Sequence, residues 1–125
     1  MQQPPIYITS IGSISPLGIN PEEVWRNYKT QKHFFTKKWD NWVATISEGN
    51  EKKIIELQNS DKRYKNLDRT VLISILASRI ALENAKWSNE EFGVNIGSSR
   101  GATELFENYY DAFLKNKRAE TLSSP

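Results

Sequence analysis

The sequence contains no cysteine, one histidine and one methionine in 125 residues. Without cysteine, the chain can form no disulfide, no thiolate metal site and no cysteine nucleophile of its own. Neither sign of charge is in clear excess. Seventeen basic and 15 acidic residues leave a net charge of +2, too balanced to imply a nucleic-acid partner by itself. Long apolar runs are also missing. The longest tract, VLISILASRIAL, is interrupted by Arg79 and is too short to span a bilayer. The opening MQQPPIYITSIG has neither the basic region nor the apolar core of a secretory signal. No side-chain spacing suits a metal ion. These absences lead to the expectation of a soluble, cytoplasmic chain with no cofactor, no nucleic-acid partner and no membrane partner.

The length suits one domain, residues 1–125, although an apolar share of 38% is low for a core of that size. Residues 6–12 (IYITSIG) are β-branched and aromatic, as a buried strand requires. A loop with Pro16 and Gly18 follows. Asn20, Pro21 and Glu23 then form a helix start of the capping-box type, with proline at the first helical position; this helix is expected to reach about Thr30. Phe34 and Phe35 suggest a short extended piece and residues 42–46 (WVATI) a second strand. Residues 48–59 suggest a short amphipathic helix. Residues 68–85 form the strongest helix, apolar on more than one side and therefore expected to be covered by more than one layer. Asp68 suits its N-cap. Thr70, Ser74, Ser78, Ala81 and Ala85 give it a stripe of small residues that another element can approach closely. Residues 92–96 (FGVNI) read as a third strand, and a last helix is expected over 102–116. Glu104 and Glu107 near its start and Lys115, Lys117 and Arg118 near its end suit the helix dipole. Strands alternating with helices predict an α/β layered fold with right-handed crossovers.

Between the third strand and the last helix, Gly97-Ser98-Ser99-Arg100-Gly101 has the G-x-S-x-G form of a nucleophile elbow. A serine nucleophile needs a base, normally a histidine oriented by a carboxylate. In the hydrolase fold that histidine follows the serine. Here the only histidine, His33, precedes it. A small serine hydrolase using Ser99 is thus a distant alternative, and a tight turn with serines capping the next helix is sufficient. The turn is neither a dinucleotide fingerprint nor a P-loop. The four tryptophans are spaced as packing residues, and the Glu22-Glu23 and Glu90-Glu91 pairs give no sign of burial that would make them an acid–base couple.

Three stretches together resemble the β-ketoacyl-(acyl carrier protein) synthases. YITSIGSISPLGINPEEVWRNYKTQK, residues 7–32, resembles that family's opening strand, Ser-Pro-Leu-Gly loop and acidic helix start with a tryptophan. LDRTVLISILASRIALENAKW, residues 67–87, resembles its Asp-Arg helix with an Ala-Leu-Glu-x-Ala ending. FGVNIGSSRGATELFENY, residues 92–109, resembles the following strand and glycine-rich turn. The likeness is weakest between Phe34 and Ser60.

The resemblance implies the N-terminal portion of a thiolase-like, layered α/β/α fold. It implies an acyltransferase of fatty-acid or polyketide-like biosynthesis, which elongates acyl chains by decarboxylative Claisen condensation. The family works with a cysteine and two histidines. This chain has no cysteine, and His33 matches neither histidine, so no catalytic residue carries over. The chain is expected to be an N-terminal fragment, inactive in condensation alone. The alternative within the same fold is a non-catalytic, chain-length-factor-like partner subunit.

The resemblance further places Ser99 and Arg100 beside the acyl pocket. Arg100 stands where relatives have a small or apolar residue, which puts ordinary long-chain acyl substrates in question. It also implies docking of an acidic acyl carrier protein on two basic groups: Lys62, Arg63 and Lys65, and Lys115, Lys117 and Arg118. The expected assembly is a homodimer or a ketosynthase heterodimer.

Overall fold

A computed structural model describes residues 5–86 and 91–117 of the chain. The elements, in order, are α1 (Pro21–Tyr28), β1 (Phe35–Lys38), β2 (Asn41–Ala44), α2 (Glu48–Ser60), a 3-10 turn (Lys62–Tyr64), α3 (Arg69–Ala85) and α4 (Thr103–Asn116). The fold is mixed α/β: several helices and one small antiparallel sheet.

The starts of α1, α2 and α3 follow local chemistry. Asn20 caps α1 by accepting from the Glu22 N–H at 2.9 Å, with Pro21 next. Glu23 reaches back to the N–H of Ile19, not of Asn20, so the expected capping box closes one residue early. Ser47 caps α2 through the Asn50 N–H. Asp68 caps α3 through the Thr70 N–H. The last two helices end on Lys86 and Lys117 in the left-handed conformation, with φ of 50° and 53°.

The sheet differs from expectation. Its two strands pair locally as a hairpin, with Phe35 opposite Ala44 and Lys37 opposite Trp42. Residues 6–12 and 92–96, although composed as strands, are extended segments assigned to no strand. No crossover between parallel strands is present among the described residues. A strand exists only when a neighbour accepts and donates its backbone hydrogen bonds, and these two segments have none among the described residues. Ile6, Tyr7, Ile8 and Ile11 are exposed, as are Phe92, Val94 and Ile96.

One end of the first segment is nevertheless fitted to α3. A Cβ on Gly12 would collide with the carbonyl oxygen of Ala77 and lie 3.0 Å from the nitrogen of Ala81. The small-residue character of α3 thus admits a close backbone approach at Ala77 and Ala81. Ser78, on the expected stripe, instead donates to the Ser74 carbonyl at 2.8 Å within the helix.

The core is small. Ile54 and Leu57 of α2 pack with Leu72 of α3, bordered by Ile46, Tyr64, Leu67, Ile73, Ile75 and Leu76. Arg69 and Glu51 link the same two helices by a two-pronged ion pair, Nη1 to Oε1 and, at 2.8 Å, Nη2 to Oε2. The expected coverage of α3 by more than one layer is incomplete: Leu72 is its one fully buried residue, and Leu82 is 40% exposed.

The candidate site around the Gly97–Gly101 turn

The turn resolves into a helix entry. Gly101 adopts φ +62°, a left-handed conformation that glycine takes without a Cβ clash. Ser98 Oγ accepts from the Gly101 N–H at 2.9 Å, so Ser98 shapes the turn. The expected serine cap on α4 is absent. Residue N-terminal to α4 is Ala102, which supplies no side-chain cap.

Asp68, 3% exposed, caps α4 from a distance. Its Oδ2 accepts from the Leu105 N–H at 3.2 Å. Its Oδ1 accepts from the Thr70 N–H at 2.7 Å and from the Thr70 hydroxyl at 2.6 Å. The Thr70 hydroxyl also lies 3.3 Å from the Gly101 carbonyl oxygen. One carboxylate therefore serves the positive ends of two helices. Burial alone would raise its pKa; the hydrogen bonds from Thr70, Leu105 and Glu104 outweigh burial and hold it below the ordinary aspartate value. An aspartate held anionic by backbone donors is a structural anchor, not a general base.

A shallow cavity of about 280 Å³ lies beside this anchor, bordered by Glu51, Ile54, Leu72, Glu104, Leu105 and Asn108 among others. Ser99 and Arg100 are exposed and do not border it. His33, the sole possible histidine base, lies against Trp42 at the hairpin, edge-on with ring centroids 6.4 Å apart. Among the described residues, no hydrogen bond joins Ser99 to His33 or to a carboxylate.

The basic residues form two separate groups. Lys62 and Arg63 lie in the 3-10 turn, and Lys65 follows it. Arg63 is held by Asp61, with Nη2 to Oδ2 at 2.6 Å. That side-chain bond, reinforced by the Arg63 N–H, lowers the Asp61 pKa to about 2. Lys115 pairs with Asp111 one turn earlier, at 2.6 Å. Among the described residues, Lys62, Lys65 and Lys117 enter no ion pair. Arg118 lies outside the described residues. Lys65 borders the cavity at the start of α4, whereas Lys115 is ten residues beyond Leu105, about 15 Å along the helix. The two groups thus flank α4 at opposite ends. Among the described residues, no cluster of His, Asp and Glu could hold a metal ion, and no helix is long and apolar enough to cross a membrane.

Comparison of the chain with protein-family models, characterised proteins and solved structures finds no match.

Proposed function

We propose that this chain is the N-terminal part of a condensing enzyme of the β-ketoacyl synthase type. In the complete protein it would extend acyl groups on a carrier protein by decarboxylative condensation. The observation that carries the proposal is the pair of extended apolar segments, residues 6–12 and 92–96, both exposed, together with a helix, α3, whose apolar sides are incompletely covered. A layered α/β/α fold would use both as sheet strands and would bury α3 between layers. On α4, Phe106 and Tyr110 stack at 6.3 Å yet stay exposed, and Phe113 and Leu114 are also open. Such a surface calls for further chain or for a subunit partner, in a homodimer or a ketosynthase heterodimer.

The division of roles is as follows. The cysteine and histidines of condensation belong elsewhere, because this sequence has no cysteine. Ser99 and Arg100 would line the acyl pocket once the surrounding layers are in place, with Arg100 restricting acyl length or meeting a polar group. In the complete enzyme, Arg100→Ile should shift chain-length preference. Lys62 and Lys65, supported by Arg63, Lys115, Lys117 and Arg118, would steer an acidic carrier protein.

The direct test is binding of purified acyl carrier protein to the chain by calorimetry at low and high salt. Lys62→Glu with Lys65→Glu should weaken binding about tenfold at low salt and less at high salt. Lys52→Glu with Lys53→Glu on α2 is the charge-matched control. Equal loss in the control, or no binding to lose, would remove the docking assignment.

A further inference from the structure

The hairpin carries a conformational anomaly. Its tip residues, Trp39 and Asp40, both have positive φ, 46° and 63°. A two-residue turn of this kind is normally built from Asn and Gly, which enter the left-handed region easily. A bulky aromatic there is strained. Trp39 gains no packing in return: it is 89% exposed. The rest of the hairpin is also largely exposed, with Val43 half-buried. The strand register puts Phe35, Lys37, Trp42 and Ala44 on one face, and both aromatics on that face are more than half exposed.

Charge is one-sided over the same region. From Val24 to Lys38 the chain carries Arg26, Lys29, Lys32, Lys37 and Lys38 and no acidic residue. Asp40 is the one acid at the tip, and Lys37 holds it at 3.2 Å. On α1, Trp25 and Tyr28 are also exposed, with the Lys29 ammonium 5.1 Å from the Trp25 ring. The hairpin, with its strained tryptophan, lies where the resemblance to condensing enzymes is weakest, whereas α1 lies within it.

We propose that the hairpin is a finger that inserts Trp39 into the surface of an anionic lipid bilayer. Indole rings favour the interface between headgroups and acyl chains, where an apolar body and a polar N–H are both accommodated. Lysines beside the ring are drawn to anionic headgroups. The shape decides among polyanions. The open cleft at the hairpin's base, about 440 Å³ and bordered by His33, Phe35 and Thr36 among others, does not include Trp39, so the tip aromatic lies outside the nearby place where a strand could lie, whereas a fluid surface accepts a convex tip without a matching cavity. The expectation of no membrane partner rested on the lack of a spanning segment, which surface contact does not need. This inference is independent of the condensing-enzyme proposal and stands or falls separately.

The test is co-sedimentation of the full chain with phosphatidylcholine vesicles, with and without phosphatidylglycerol. Binding is expected only with phosphatidylglycerol, and it should weaken as salt rises. Trp39→Asn separates structure from function, because asparagine suits the left-handed turn better than tryptophan. It should leave thermal stability equal or higher and still reduce vesicle binding about tenfold or more. Lys37→Gln and Lys38→Gln, both at exposed positions, should each weaken binding about fivefold. Quenching of tryptophan emission by brominated lipid should be largely lost in Trp39→Asn. No binding to anionic vesicles, or binding unchanged in Trp39→Asn, would overturn the proposal. So would Trp39-dependent binding to an acidic protein or a single-stranded oligonucleotide while vesicles are ignored.

Discussion

Asp68, at the start of α3, accepts a hydrogen bond from the backbone N–H of Leu105, 37 residues later in α4. The same carboxylate caps its own helix through Thr70. It therefore fixes the Gly97–Gly101 turn relative to α3, and through it the position of Ser99 and Arg100.

Replacing Asp68 should loosen two helices at once. Asp68→Ala removes both caps and leaves buried donors unsatisfied, so a loss of about 2–4 kcal/mol is expected. Asp68→Asn keeps a carbonyl acceptor and should cost about half as much. Urea denaturation curves of the three proteins check this. Equal midpoints for Asp68→Ala and the parent would contradict the double cap.

Acid sensitivity follows from the same group. The Asp68, Glu51 and Asp61 carboxyls all lie below their ordinary values in the folded chain. For Glu51 the chief cause is its hydrogen bond from Arg69. A lowered carboxylate pKa contributes stability that is present above the unfolded value and is lost as pH falls through the folded one. Stability should thus be flat above the ordinary glutamate value of 4.5 and fall towards the Asp61 value of about 2. Asp68→Asn should flatten part of that decline. Thermal midpoints measured across this range give the comparison, and an unaltered slope in the variant would count against Asp68 as a contributor.

Two glycines should respond in opposite directions. Gly12 packs against the α3 backbone, so Gly12→Ala should destabilise by about 1–3 kcal/mol, or detach the segment. Gly49, in the first turn of α2, has open space around it, so Gly49→Ala should stabilise by up to about 0.5–1 kcal/mol. Hydrogen exchange around Ala77 and Ala81 would report the first effect, and a thermal midpoint the second. Similar shifts in both variants would mean that residues 6–12 do not rest on α3.

What the sequence made legible was local. Asn20-Pro21 and Asp68 announce helices because a cap and its helix are neighbours in the chain. Trp42 to Ile46 could be recognised as extended by composition, and β2 lies there. The hairpin turn is not legible in the sequence because Trp39 and Asp40 are not the residues that mark a left-handed turn. The sequence points to the adjacent serines as the cap on α4 because Asp68 is far away in the chain; nothing local connects it to Leu105. Residues 6–12 and 92–96 have the composition of strands, but pairing is a property of two segments, and no neighbour for either lies among the described residues. The basic groups could be listed from sequence, whereas the Asp61–Arg63 and Asp111–Lys115 pairs, which take two charges out of play, needed the structure.

The most direct measurement is the coding sequence downstream of codon 125. The account predicts an open frame that soon encodes a cysteine among small residues, followed by two histidines, completing the proposed condensing enzyme. A stop codon immediately after Pro125 would contradict it and would exclude condensation by this polypeptide.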